Sequence, residues 1–222
     1  KQTASATPLE TPSPANVATI SGTETTEATP EATPFATVLT EDSETGKWLY
    51  EDEAVRIDIN REQPLNMVVA TVAVITPKTD APVIRTAFAD GAYGANIRAR
   101  TRDIAASVNA VFAINGDYCG FRSDGIIVRD GVLYRDEAST RDQLLVMSDG
   151  TFVALPRGTY TAGEGQKYID EGVVQSFSFG PLLVNDGEAV ELPSKYIIST
   201  KDSIREPRTA IGQVDANHYV VI

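Results

Sequence analysis

The stretch Ile126-Ile127-Val128-Arg129-Asp130-Gly131-Val132-Leu133-Tyr134 decides the fold class. Two apolar runs flank an Asp-Gly pair, and Asp-Gly readily adopts the positive φ angles that a type I′ turn requires. The stretch therefore predicts a β-hairpin with strands at 126–128 and 132–134.

The same signal recurs towards the end of the chain, where turn-forming residues again follow or separate apolar runs. These places are 144–147 and 152–155 around Asp149-Gly150, 182–184 before Asp186-Gly187, and 209–214 and 218–222 around Asp215-Ala216-Asn217. The second half of the chain is thus predicted to be a series of hairpins.

Apolar runs upstream of the hairpins predict four more strands. Residues 54–60 alternate between apolar and polar side chains, which is typical of a half-buried strand. Residues 66–75 are apolar almost throughout, which predicts a strand buried on both faces. Shorter runs at 83–88 and 111–114 predict two short strands.

Only one helix is predicted, at 101–109, with Thr101 as its N-cap and Asp103 in its first turn. Many strands, several hairpins and few helices indicate an α+β domain built on a strand-rich mixed sheet. Residues 46–222 form this predicted domain.

Residues 1–45 have a different composition, dominated by Thr, Ala, Pro and Glu. Seven acidic side chains against one lysine give this segment half of the chain's net charge of −12. Such a segment cannot bury enough apolar surface to offset the entropy lost on ordering. We therefore predict a disordered stalk or linker over 1–45.

The composition excludes several classes of function. A net charge of −12 gives no electrostatic reason to bind nucleic acid. The single cysteine, Cys119, cannot form an internal disulfide, and with one histidine, His218, it cannot build a transition-metal site. A calcium ion held by Asp and backbone oxygens stays open. No apolar run is long enough to span a membrane.

Two clusters could carry chemistry. Asn115-Gly116-Asp117-Tyr118 opens a Gly-rich loop that also contains Cys119, Arg122 and Asp124. Pro207-Arg208-Thr209 places a guanidinium and a hydroxyl at the start of a predicted strand, where they could bind an oxyanion or phosphate. An ordinary turn and an ion pair at a sheet edge are the alternative interpretations.

Both clusters resemble elements of the phosphodiester glycosidase family, which includes N-acetylglucosamine-1-phosphodiester α-N-acetylglucosaminidase and many bacterial surface proteins. The resembling segments are Asn115-Gly116-Asp117-Tyr118 with the hairpin that follows, Phe179-Gly180-Pro181-Leu182-Leu183-Val184, and Pro207-Arg208-Thr209-Ala210-Ile211-Gly212. They occur in the family's order, and the resemblance spans roughly 54–222.

The resemblance implies a hydrolase that cleaves the glycosidic bond of sugar-1-phosphodiesters in glycans or exopolysaccharides, outside the cell or on its surface. It implies catalytic roles for Asp117, Arg208 and Asn115. It also implies substrate binding by Gly116, Tyr118, Arg122 and Thr209. Four residues have alternative interpretations without a functional role. These are Tyr118 as a core aromatic, Asp124 as a turn residue, Cys119 as an unreactive thiol and His218 as a structural residue.

The family domain normally continues into an Asn-Leu-Asp-Gly-Gly-Gly-Ser-Ser motif, which is not part of this sequence. The resemblance therefore leaves open a fragment without activity of its own, a cleaved half, or a domain completed by a second chain that supplies the missing segment. It also leaves open a membrane anchor ahead of residue 1. A carbohydrate- or cell-wall-binding module without catalysis is the alternative function on the same scaffold.

Overall fold

Two large antiparallel sheets dominate the structure, a computed structural model that describes residues 37–66, 68–192, 207–216 and 218–222. The predicted stalk lies outside these ranges up to residue 36. The strands are β1 (Val38–Asp42), β2 (Lys47–Glu51), β3 (Val55–Leu65), β4 (Val68–Pro77), β5 (Ile126–Arg129), β6 (Val132–Asp136), β7 (Gln143–Met147), β8 (Phe152–Leu155), β9 (Val173–Ser178), β10 (Val184–Asn185), β11 (Glu188–Ala189), β12 (Ile211–Asp215) and β13 (His218–Val221).

The larger sheet has the strand order β1-β2-β3-β4-β13-β12, and the second has the order β6-β5-β9-β7-β8. Strands β10 and β11 form a separate small hairpin. The helices are α1 (Thr101–Ser107) and α2 (Gly165–Asp170), and neither is long or apolar enough to cross a membrane. The predicted α+β class is confirmed, although every strand pairing in the described ranges is antiparallel rather than mixed.

The predicted hairpins form because their turn residues adopt the required backbone. Asp130 and Gly131 have φ angles of 48° and 75° between β5 and β6. Asp186 and Gly187 have φ angles of 50° and 80° between β10 and β11. These are positive at both central positions, as in a type I′ turn. The β7–β8 and β12–β13 hairpins are also present.

The six-stranded sheet buries one face, as the alternation in 54–60 predicts. Val55 and Ile57 of β3 pack with Ala73 and Ile75 of β4. Tyr219 of β13 belongs to the same cluster, and its hydroxyl donates to the Gly150 carbonyl oxygen at 2.8 Å. This contact ties the larger sheet to the turn between β7 and β8.

The prediction that 66–75 is buried on both faces is wrong for the first part of β4. Val68 and Val69 are 44% and 56% exposed. Here β3 and β4 pair only with each other, because β13 reaches no further along β4 than Ala73. The outer half of this hairpin therefore lacks a neighbouring strand to cover it.

The strands predicted at 83–88 and 111–114 are also wrong, because the described backbone there is in neither a strand nor a helix. Val83, Ile84, Phe112 and Ile114 still pack against the core of the six-stranded sheet. The apolar runs signalled burial correctly, but burial alone does not require ladder hydrogen bonds.

The prediction that the disordered segment extends to residue 45 is wrong for Val38–Asp42, which forms β1 and pairs with β2. All five residues of β1 are exposed, so backbone pairing rather than burial holds this edge strand. The Asp42 carboxylate accepts from the backbone N–H of Glu44 and Thr45 in the connecting turn. Composition alone could not reveal such an edge strand.

Helix α1 begins at Thr101, as predicted, but ends at Ser107. Arg100 occupies the cap position, and no side chain caps the first turn, so the predicted capping by Thr101 is wrong. Helix α2 was not predicted. It packs Tyr168 and Ile169 against the core of the five-stranded sheet, which contains Ile126, Val128 and Leu145.

Asp136, at the end of β6, holds the segment that leads into α2. Its carboxylate accepts from the Tyr160 hydroxyl at 2.5 Å and from the N–H groups of Gly163 and Gly165 at 2.8 and 2.9 Å. Burial opposes ionisation, but these three hydrogen bonds lower the pKa of Asp136 below its ordinary value.

We expect Asp136→Asn to reduce the free energy of unfolding by about 1–3 kcal/mol at neutral pH, because an amide cannot accept all three hydrogen bonds. A group with a lowered folded-state pKa stabilises the fold above its ordinary pKa of about 4 and loses that effect as the pH falls further. Urea titrations from pH 7 to pH 3 should therefore show the two proteins converging below pH ~4. Glu137→Gln is the control, and an undiminished difference at pH ~3 would contradict this account.

Candidate functional site

The centre of the five-stranded sheet contains a gap between β5 and β9. The strands are paired at Arg129 and Gln175. Towards the start of β5, the Ser176 hydroxyl replaces the ladder, accepting from Val128 N–H at 2.8 Å and donating to the Ile126 carbonyl at 3.0 Å. Polar side chains thus line the gap inside an otherwise apolar sheet.

Asp117 of the Asn-Gly-Asp-Tyr segment is inserted at this gap. Its Oδ1 accepts from Arg129 Nη2 at 3.0 Å, and its Oδ2 accepts from the Ser178 N–H at 2.9 Å. The side chains of Asp117 and Arg129 are only 3% and 9% exposed. Asp117 is therefore buried and paired rather than a free carboxylate facing solvent, and its catalytic role stays a prediction. Its geometry is that of an anchor for the loop.

Arg129 is enclosed on all sides. Its Nη1 donates to the carbonyl oxygens of Val128 and Ser176. Its guanidinium lies 5.1 Å from the ring centre of Phe177 and 5.9 Å from that of Phe88. Aromatic faces and carbonyl oxygens both favour a cation, which offsets part of the cost of burying Arg129.

Asn115 and Thr209, two of the predicted site residues, lie in contact with each other. The Thr209 hydroxyl donates to Asn115 Oδ1 at 2.8 Å, and both residues are exposed. This contact joins the Asn-Gly-Asp-Tyr segment to the Pro-Arg-Thr segment, which lie 94 residues apart in the chain. Two separate motifs thus form one surface.

Arg208 lies on this surface beside Thr209 and is exposed. Its Nη1 donates to the Pro207 carbonyl at 3.0 Å. No carboxylate within the described ranges pairs with it, so the alternative interpretation as an ion pair at a sheet edge finds no partner there. The remaining guanidinium donors can reach a ligand.

Tyr118 forms a cluster with Arg122 and Phe179, which are half-buried. The Arg122 guanidinium lies 5.6 Å from the Tyr118 ring centre and 5.8 Å from that of Phe179, and the two rings are 5.6 Å apart. Tyr118 is 53% exposed, so it is not a core aromatic. A cation beside two aromatic faces can bind an anion and the apolar face of a sugar together.

Gly116 has room for a side chain. A Cβ there would meet the Phe177 ring at 3.6 Å, an ordinary contact distance. No packing among the residues that the structure describes requires glycine at this position. The predicted close approach of a substrate to the backbone therefore stays a prediction.

The other polar candidates, Cys119, His218 and Asp124, lie in surroundings that fit a structural role. Burial, and next the charge of Asp117, raise the pKa of the Cys119 thiol, which opposes a nucleophilic thiolate. His218 bonds to Asp215 at 2.8 Å on the β12–β13 hairpin. The Asp124 backbone carbonyl accepts a hydrogen bond from Arg135.

The structure offers no ligand set for the calcium ion that the sequence left open. In the described ranges no three His, Cys, Asp or Glu side chains are grouped to hold a metal ion.

Sequence reasoning missed Arg129, Ser178 and Phe179 as parts of this site. The signal for Arg129 was present, because it is the one charged residue of β5, a strand buried at every position. A cation there requires a buried partner, and the nearest motif carboxylate is Asp117. Ser178 contributes only its backbone N–H to Asp117, so no sequence pattern reports its role.

A comparison with known families agrees with the resemblance of the two motifs. A family model described as phosphodiester glycosidase matches residues 108–222, which is more than half of the chain. The chain belongs to the phosphodiester glycosidase family. The match confirms the resemblance over 108–222, whereas for 54–107 it stays a prediction. No curated protein and no solved structure matches the chain.

We expect Asp117→Asn to lower the free energy of unfolding by about 3–5 kcal/mol, because Arg129 would remain buried without a counter-ion. Guanidinium titrations of Asp117→Asn, Arg129→Gln and the double variant would measure the coupling between the two side chains. Asp124→Asn is the matched control in the same loop. A loss below about 1 kcal/mol for Asp117→Asn would show that the ion pair does not hold the loop.

Proposed function

We propose that this protein is a hydrolase that cleaves the glycosidic bond of sugar-1-phosphodiesters in glycans or cell-surface polymers. The contact between Asn115 and Thr209 carries the proposal, because it unites the two family motifs on one exposed surface. That surface combines hydroxyl, amide and guanidinium groups, which are the groups that a sugar phosphate requires.

The chemistry depends on stabilising charge on the departing phosphate. Water adds to the anomeric carbon and loses a proton to solvent as the bond from that carbon to the phosphate oxygen breaks. The group expelled is a phosphomonoester, which is a better leaving group than a sugar alkoxide. Strong general-acid assistance is therefore less important than in ordinary glycoside hydrolysis. Arg208 is exposed beside Thr209 and stabilises the developing charge, with Arg122 as the second cation.

The sugar is held by the neighbouring neutral groups. Asn115 and Thr209 offer amide and hydroxyl groups to sugar or phosphate oxygens, and the exposed Tyr118 ring offers an apolar face. Asp117 acts indirectly, because its bonds to Arg129 and Ser178 fix the backbone that presents Asn115 and Tyr118. Preorganised groups of this kind lower the barrier more than groups that must first be ordered.

The same proposal places the protein outside the cell or on its surface, where glycan polymers are found. The substrate is anionic although the chain is acidic overall, so binding depends on short-range contacts with Arg208 and Arg122 rather than on net charge.

A carbohydrate-binding module without catalysis is the second candidate. The cluster of Tyr118, Arg122 and Phe179 favours it, since neighbouring aromatic rings with a nearby cation can bind a sugar without any chemical step. This function would need the aromatic cluster but not Arg208.

We expect Arg208→Lys to reduce kcat/KM for a methyl sugar-1-phosphodiester by about 10²-fold, because lysine cannot donate bidentately to the phosphate. Thr209→Val should reduce it by about tenfold through loss of one hydrogen bond. Release of methyl phosphate, followed by ³¹P NMR, measures both effects. Arg102→Lys on α1 is the control.

Three outcomes separate the hypotheses. Turnover that is lost in Arg208→Lys and retained in Arg102→Lys supports the hydrolase with Arg208 in its site. Turnover unaffected by Arg208→Lys would remove Arg208 from the mechanism. Binding of the phosphodiester without any turnover by the wild-type chain would favour the carbohydrate-binding module.

A further inference from the structure

Arg135 of β6 directs its guanidinium into the curve of the loop that follows Tyr118. Its Nε donates to the Gly125 carbonyl at 3.0 Å, and its Nη1 donates to the Cys119 carbonyl at 2.9 Å. The Arg122 and Asp124 carbonyls accept from Nη1 and Nη2. One side chain therefore binds four backbone oxygens of a single loop.

The loop depends on these bonds because it contains little regular structure. Its one ordered element is a short 3-10 turn at Cys119–Phe121. Carbonyl groups in such a segment need hydrogen-bond donors from elsewhere in the protein when they are turned away from water. The planar guanidinium supplies several donors in a fixed arrangement, whereas a lysine ammonium is a compact charge on a flexible stem.

The opposite side of the loop is equally confined. A Cβ on Gly120 would lie 2.6 Å from the Gly94 carbonyl oxygen, and the Asn96 N–H donates to the Gly120 carbonyl at 3.0 Å. Residues 94–96 therefore limit movement of the loop on one side while Arg135 holds it on the other. Together, Arg135 and residues 94–96 restrict the backbone of the loop to one curvature.

The curvature of the loop determines where Arg122 lies. The Arg122 carbonyl is bound by Arg135, and the Arg122 guanidinium lies beside the rings of Tyr118 and Phe179. The guanidinium of Arg135 itself is turned inward onto carbonyl oxygens. Arg135 thus acts on any ligand through Arg122 rather than by direct contact.

We propose that Arg135 is a positioning residue that fixes the 119–125 loop so that Arg122 and Tyr118 face the phosphate and sugar of the substrate. The substrate part of this inference rests on the proposed function. The positioning part concerns the loop alone and can be measured without any substrate.

The first experiment compares amide hydrogen exchange in the wild-type chain, Arg135→Lys and Arg102→Lys. Arg102 is a matched control because it is an exposed arginine on α1 whose ion-pair partner is its neighbour Asp103. We expect exchange at 119–125 to accelerate about tenfold or more in Arg135→Lys, with β5, β7 and β9 unchanged. Arg102→Lys should leave the loop unchanged.

The second experiment measures hydrolysis of the methyl sugar-1-phosphodiester by Arg135→Lys, Arg122→Gln and the double variant. We expect each single change to raise KM about tenfold with a smaller effect on kcat, because Arg122 contributes to binding the phosphate. The double variant should match Arg122→Gln alone, since a misplaced Arg122 and an absent one are equivalent.

Unchanged exchange in the loop, or acceleration spread evenly over the whole sheet, would overturn the positioning role. Additive effects on KM would also overturn it, because Arg135 would then act independently of Arg122. If the wild-type chain shows no turnover, the proposed function fails, and the exchange experiment by itself decides whether Arg135 positions the loop. Should Arg135→Lys not fold, Arg135→Gln provides the second variant for the same comparison.

Discussion

The buried ion pair between Asp117 and Arg129 is the interaction on which the candidate site depends. Burying two charges is unfavourable unless their other hydrogen-bonding capacity is also met. Here Arg129 also donates to two backbone carbonyls, and Asp117 also accepts from the Ser178 N–H. With the carboxylate fixed inside the sheet, its sequence neighbours Asn115 and Tyr118 are held at the surface, where ligands can reach them.

The ion pair has its place because β5 and β9 separate at the start of β5. A continuous ladder would leave no room for a polar loop, but Ser176 and Gln143 satisfy the backbone of Ile126 and Val128 through their side chains. An unsatisfied buried backbone group is costly, so these polar side chains make the gap tolerable. The site is thus built into the sheet and does not rest on a loop alone, which favours a fixed geometry.

Local turn chemistry explains what could be predicted from the sequence and what could not. Asp130-Gly131 and Asp186-Gly187 encode their own turns, so these hairpins were predictable. The runs at 83–88 and 111–114 encode burial only, which irregular backbone satisfies equally well. The motifs pointed to Asn115 and Thr209 as site residues, but no sequence pattern predicted the hydrogen bond between them. The burial of Asp117 depends on Arg129 of β5. One charge in a fully buried strand signals that a partner is needed, but no sequence pattern shows how the Asp117 loop enters the sheet.

Four arginines differ in what surrounds them, and this difference argues for an anionic ligand. Arg129 is neutralised by a buried carboxylate, and Arg135 is saturated by loop carbonyls. Arg122 and Arg208 instead lie at the surface near the two motifs, without a carboxylate partner in the described ranges. In a chain of net charge −12, long-range attraction opposes a phosphate. Screening limits that repulsion to about 8–10 Å at physiological salt, so two unpaired guanidinium groups at contact distance can outweigh it.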